Sequence, residues 1–169
     1  MAKGLPMGLT RVFIHGLEST SQGTKGVFFR RRYPDMIIED YFGTFDQRMA
    51  KLNTILSDKH DLLLVGSSYG GLMATVFAFH NEDKINKLIL LAPALNRYEF
   101  NPYVSKRLHL PVTVYHGIRD DVVPPDSVRT IAESVFPRLR YHLLNDDHSL
   151  HNTFSLMDWD TLLEFQHTD

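Results

Sequence analysis

The sequence contains no cysteine, which excludes disulfide bonds, thiolate metal sites and a cysteine nucleophile, and leaves serine as the natural residue for covalent chemistry. It also lacks an excess of either charge: 18 Lys and Arg stand against 20 Asp and Glu, a net charge of -2. Such a balance gives no electrostatic footprint for nucleic acid or an anionic membrane. The one basic cluster, Arg30-Arg31-Arg32, is short and reads as a solvated helix end. Long apolar runs are missing too. Met1 to Pro6 has no continuous hydrophobic stretch of the kind a signal peptide needs, and no later segment approaches a membrane span. Cytoplasmic residence is the default expectation.

What is present is the material for one packed core. At 169 residues, with 43% hydrophobic and 11% aromatic content, the chain is expected to form a single domain over residues 1–169. Six short apolar runs read as buried strands: Arg11 to His15, Met36 to Tyr41, Asp61 to Gly66, Lys87 to Ala92, Pro111 to His116 and Leu139 to Leu144. Between them, Phe45 to Ser57, Tyr69 to His80 and Ser127 to Val135 have helical spacing, as does the tail from Met157 to Phe165. No repeat, linker or low-complexity tract interrupts the alternation. It predicts an α/β fold with about six strands, mostly or wholly parallel, and helices on both faces. In such a sheet functional groups collect at the carboxyl ends of the strands.

Four strand ends carry chemistry. After the third run comes Gly66-Ser67-Ser68-Tyr69-Gly70-Gly71, a Gly-x-Ser-x-Gly pattern that makes Ser68 a candidate nucleophile on a tight strand-to-helix turn. Glycine and serine also occur in turns for conformational reasons alone, so the other strand ends matter. After the first run, His15-Gly16-Leu17-Glu18-Ser19 can aim the Leu17 N–H toward that serine, and the Tyr69 N–H at the start of the next helix would be a second oxyanion donor. After the fifth run, His116-Gly117-Ile118-Arg119-Asp120-Asp121-Val122-Val123-Pro124 offers two carboxylates, of which Asp120 is the chosen acid and Asp121 the reserve. After the sixth, Asn145-Asp146-Asp147-His148-Ser149-Leu150-His151 supplies His148 as the candidate general base, with His151 the alternative.

Two other chemistries are set aside. Gly23-Thr24-Lys25 is not a phosphate loop, since the lysine is separated from its glycine and followed by Gly26. His148 and His151 with Asp146 and Asp147 do not make a zinc set, which needs three or four convergent ligands, and no second ligand pair of recognisable spacing is present. A surface loop of acids and histidines is the commoner arrangement. No metal and no cofactor are expected.

The order nucleophile, acid, histidine, each at a strand end, resembles that of the alpha/beta-hydrolase superfamily, and the chain is particularly similar to its short bacterial serine esterases. The likeness spans nearly the whole chain and rests on the four segments just quoted. It implies a three-layer alpha/beta-hydrolase sandwich, and by that match Ser68, Asp120 and His148 inherit the triad roles. Many relatives have glycine directly before the histidine where Asp147 stands here, which keeps His151 open beside His148. Many also insert a helical lid where this chain has only Ala94 to Leu110, so residues 94–110 would be at most a minimal cap. Leu95 and Tyr98 are its candidate substrate contacts, with Phe100 and Tyr103 in the same segment. The resemblance thus implies a carboxylesterase-like enzyme with an open pocket for a small-molecule acyl substrate, ester or thioester. Amide hydrolysis by the same triad, or a non-catalytic binding role, is the alternative.

Overall fold

The computed structural model describes residues 8–165, so the reading of Met1 to Pro6 lies outside the described residues. Six strands, β1 (Thr10–Ile14), β2 (Ile37–Ile38), β3 (Leu62–Ser67), β4 (Ile85–Leu91), β5 (Val112–Gly117) and β6 (Leu139–Leu144), form one sheet in the order β2-β1-β3-β4-β5-β6. Every pairing is parallel. Five helices accompany them: α1 (Thr24–Arg32), α2 (Phe45–Leu56), α3 (Tyr69–His80), α4 (Pro125–Val135) and the single turn α5 (Trp159–Leu162).

The near-continuous apolar runs are explained by burial on both faces. Successive side chains of a strand point to opposite sides. Val12, Ile14, Leu62, Leu64, Leu88 and Leu90 therefore face one way and join a core with α2, α3 and α4. Phe13, Leu63, Val65, Ile89 and Leu91 face the other way and meet Phe29 and Tyr33 from the α1 region and Trp159 from α5. Three layers result. On the second face Phe29 is fully buried, with its ring centroid 5.1 Å from that of Phe13, 5.4 Å from Phe154 and 4.8 Å from Trp159.

Three elements differ from expectation, each for a local reason. The expected strand 36–41 pairs only at Ile37 and Ile38. Beyond them the Tyr41 N–H goes to the His15 ring, and the Asp40 carboxylate takes the Ser21 N–H. The chain there is held by side-chain-to-backbone bonds instead of a ladder. The tail expected to be one helix from Met157 to Phe165 holds only the single turn α5, which follows a 3-10 turn at Phe154–Leu156 and which Asp158 caps by accepting the Thr161 N–H. Helix α1 was legible only through its basic end: Arg30 donates to the Ser21 carbonyl, Arg32 pairs with Asp160 at 2.8 Å, and Arg31 is exposed. By contrast α2 starts where its sequence says, at a Thr44/Gln47 capping box.

The topology fixes where a site can form. The chain runs outward from β1 to β2, then returns past β1 to β3. The loops leaving β1 and β3 consequently diverge, and a crevice opens at the carboxyl ends of the two strands. Among the described residues no helix is long and apolar enough to cross a membrane.

Phe29→Ala should lower unfolding free energy by about 3–5 kcal/mol, because the surrounding rings cannot all collapse into the space. Arg31→Ala on the same helix should stay within about 0.5 kcal/mol. Urea denaturation followed by circular dichroism measures both; equal effects would contradict the packing described here.

Candidate active site

Ser68 sits between β3 and α3 with φ 55° and ψ -115°, a backbone conformation that side-chain-bearing residues rarely adopt. It is held there from both sides. Its N–H donates to the Leu91 carbonyl of β4 at 2.8 Å, and its own carbonyl accepts from Gly71, Leu72 and Ala94. The flanking glycines are required by close approach. A Cβ on Gly66 would run into the Gly70 carbonyl, and one on Gly70 would meet the carbonyls of Ile14 and His15 at the end of β1. These obstacles are backbone and cannot swing aside.

His148 lies over this turn. Its Nε2 is 3.1 Å from Ser68 Oγ, and its Nδ1 is 2.7 Å from Asp120 Oδ2. A carboxylate can only accept, so Nδ1 carries the proton and Nε2 is left as acceptor for the serine hydroxyl. His148 sits on a loop fixed from within by Asp146, which the sequence placed on the surface and the fold buries completely. Its carboxylate accepts from the N–H groups of Asp147, Asn152 and Thr153 and from the Thr153 hydroxyl. Burial pushes that carboxyl up, but the four hydrogen bonds outweigh it and hold it below the ordinary carboxylate range. Leu150, two residues past the histidine, is itself left-handed (φ 53°) and fully buried.

The reserve residues take no part in these hydrogen bonds, although His151 lines the same cleft. His151 is exposed, with its Nδ1 2.6 Å from Asp147 Oδ2. That contact holds the Asp147 carboxyl down at about 2. Asp121 is exposed.

Asp120 has a second histidine that sequence reasoning passed over. His116 is fully buried, and its Nε2 is 3.0 Å from both Asp120 Oδ2 and the Val123 carbonyl. Both partners accept, so this nitrogen bears the proton. The other nitrogen, Nδ1, is 3.0 Å from the Tyr141 hydroxyl. The second oxygen of Asp120 accepts the N–H groups of Val122 and Val123 at 2.9 and 2.8 Å. The carboxylate thus receives four hydrogen bonds, which satisfy a buried charge and fix its plane. The i, i+4 spacing of His116 and Asp120 was the available signal, masked because a strand end gives it no helical meaning.

The oxyanion candidates are arranged by another buried histidine, His15. His15 Nε2 accepts the Tyr41 N–H at 2.9 Å, so Nδ1 is the protonated nitrogen, 2.7 Å from the Gly16 carbonyl. Pinning that carbonyl turns the N–H of the same peptide, that of Leu17, the opposite way. Among the described residues neither the Leu17 nor the Tyr69 N–H has a protein acceptor. Both residues line a cleft of about 680 Å³ that also takes in Ser68 and His148.

Neither expected substrate contact lines this cleft. Leu95 is buried in the core beneath, and Tyr98 is 74% exposed. From their segment Ala94, Asn96 and Arg97 face the cleft instead. The physical reason is anchoring. Phe100 is fully buried, stacked on Tyr103 and beside Phe79 of α3, and draws the segment onto the helix. Arg97 is held by Glu99 at 3.2 Å, and its guanidinium lies over the Tyr69 ring. Lys25, from the helix the sequence scarcely revealed, also lines the cleft, next to Ser149. Among the described residues no three His, Asp or Glu converge as a metal-binding set.

No protein-family model and no curated protein matches the chain. Solved structures do. An alpha/beta hydrolase domain-containing protein 10 from mouse superposes with a TM-score of 0.71 at 20% identity, covering 85% of this chain and 83% of that one. Est1E from Butyrivibrio proteoclasticus gives 0.73 at 17%, covering 89% and 84%. A monoacylglycerol lipase from Paleococcus ferrophilus gives 0.63 at 15%, covering 83% and 88%. At such identities the likeness is one of fold, and the fold is that of the alpha/beta hydrolases.

The buried histidines make a prediction about stability. Burial pushes both His15 and His116 below the ordinary value of 6.5. In the unfolded chain they take up protons near 6.5 while the folded chain resists, so the unfolded state binds more protons below that pH. Stability from these groups should be full above about pH 7 and fall as pH drops through 6.5. Thermal melts at pH 7.5, 6.0 and 5.0 measure the slope, and His116→Gln should flatten it. The depressed carboxylates act in the same direction only at lower pH, which keeps the two windows apart.

Proposed function

We propose that this chain, which has the alpha/beta-hydrolase fold, is a serine hydrolase cleaving carboxylic esters or thioesters of small-molecule acyl substrates. One observation carries the reading: the line of hydrogen bonds from Ser68 Oγ through His148 to Asp120, at 3.1 and 2.7 Å, on a backbone turn held in a strained conformation. In this reading Ser68 Oγ attacks the acyl carbon as His148 Nε2 takes its proton. The C–O or C–S bond then breaks, and the leaving alcohol or thiol receives that proton. Water repeats the sequence on the acyl-enzyme and restores Ser68. The Leu17 and Tyr69 N–H groups receive the oxyanion of each tetrahedral intermediate, a role worth roughly 3 kcal/mol per donor. Asp120 holds the His148 tautomer and stabilises its protonated form.

Residues 94–110 serve as a minimal cap, which leaves the cleft open and suits small or extended acyl groups. The neighbours named above are in keeping with ester chemistry: one is a monoacylglycerol lipase, and an Est1E structure holds ferulic acid. The fully hydrogen-bonded Asp120 supports the mechanism further, because a carboxylate that cannot turn keeps His148 aligned through both half-reactions.

Ser68→Ala should reduce hydrolysis of p-nitrophenyl butyrate by at least about 1000-fold, with Asp120→Asn losing a comparable factor. A fluorophosphonate probe should label the wild type and leave folded Ser68→Ala unlabelled. Undiminished turnover in Ser68→Ala would overturn the proposal, and His151→Ala should retain activity within a few-fold.

A further inference from the structure

The cleft around Ser68 is lined by one lysine and one arginine, and their situations differ. Arg97 is neutralised in place: Nε and Nη2 donate to the two oxygens of Glu99, and that carboxylate also accepts the Tyr69 hydroxyl. Lys25 has no such partner. Among the described residues no carboxylate lies within 4.0 Å of its ammonium. Its one hydrogen bond to protein runs to the Ser149 carbonyl at 2.7 Å, directly after His148. The face of Phe154 lies 5.3 Å from Nζ.

An ammonium has three donors. One is used on Ser149 and one side rests against an aromatic ring, so donor capacity remains on a wall of the cleft. Glu18 lines the same cleft but is exposed, where water solvates and screens it. Burial around Lys25 pushes its ammonium below the ordinary lysine range, partly opposed by the more distant Asp147 and Asp146. A half-buried cation with no carboxylate in contact is costly unless something negative joins it.

Building on the hydrolase reading, we propose that Lys25 forms an anion subsite of the cleft and that the substrate is an ester or thioester bearing a free carboxylate, such as a monoester of a dicarboxylic acid. A singly charged carboxylate fits better than a phosphate dianion. One ammonium neutralises one charge, and the other cation lining the cleft, Arg97, is already paired with Glu99. The subsite lies beside the loop of the proposed base. The anionic end of the substrate therefore docks against the α1 side of the cleft, with the scissile carbonyl at Ser68. The chain length between carboxylate and ester is then a selected quantity.

The test uses paired esters of matched length, monomethyl adipate against methyl hexanoate, extended to the pairs from succinate to suberate. Wild type should favour the charged ester at one chain length, and Lys25→Met should lower the charged-to-neutral ratio of kcat/KM about tenfold or more. Lys25→Arg should restore part of it. Equal losses on both esters, with the ratio unchanged, would make Lys25 a tether of the Ser149 loop alone and overturn the subsite. So would a wild type with no preference at any length. Calorimetric titration of Ser68→Ala with the same pair reads the subsite without turnover: tighter binding of the charged ester, lost when Lys25→Met is added, supports it, and equal binding overturns it. Failure of the wild type to hydrolyse even the neutral esters counts against the hydrolase reading, while the titration still decides on Lys25.

Discussion

Everything at the centre of this molecule depends on how closely α3 can approach the end of β1. The first turn of the helix carries Gly70, whose α-carbon sits against the Ile14 and His15 carbonyls with no room for a side chain. That approach forces the turn at Ser68 into its left-handed conformation. Strain of this kind costs about 1–3 kcal/mol and persists only where the surroundings over-determine it. Here the surroundings are the ladder bond to Leu91 and the three amides on the Ser68 carbonyl. The serine hydroxyl is raised toward the crevice because its own backbone has nowhere else to go.

Around that turn, three histidines perform different tasks, each set by which nitrogen carries the proton. His15 uses its proton to hold a carbonyl and so orients the Leu17 amide. His116 uses its proton to hold Asp120. His148, the only one of the three with solvent access, keeps Nε2 free for Ser68. The first two are pushed toward neutrality by burial, which suits fixed donors and acceptors. A proposed base needs the partial exposure His148 has, since it must exchange its proton with a substrate.

The cleft is asymmetric for a reason that lies in the scaffold. On one side Phe100 and Tyr103 draw the 94–110 segment down onto α3, and Arg97 arrives already paired with Glu99. On the other, Phe28 and Phe29 dock α1 against Phe154, which places Lys25 beside the His148 loop with no carboxylate in direct contact. Packing contacts remote from the serine thus decide the electrostatics a substrate would meet.

The parallel sheet was legible in the sequence because each apolar run is long enough to be buried on both faces. Gly66, Ser68, Asp120 and His148 were legible because parallel topology puts every strand end on the same rim. The 36–41 strand and the tail helix were misjudged since side chains, His15 and Asp158, captured backbone N–H groups that periodicity assigns to a ladder and a helical turn. The sequence by itself determined the layers and the rim, through the period-two burial of strand residues and the alternation of strand with helix. Only the tertiary structure decided between His148 and His151 as the partner of Ser68, set His116 behind Asp120, removed Leu95 and Tyr98 from the cleft and brought Lys25 into it. Those outcomes depend on directions and distances between residues far apart in the chain, which no local pattern encodes.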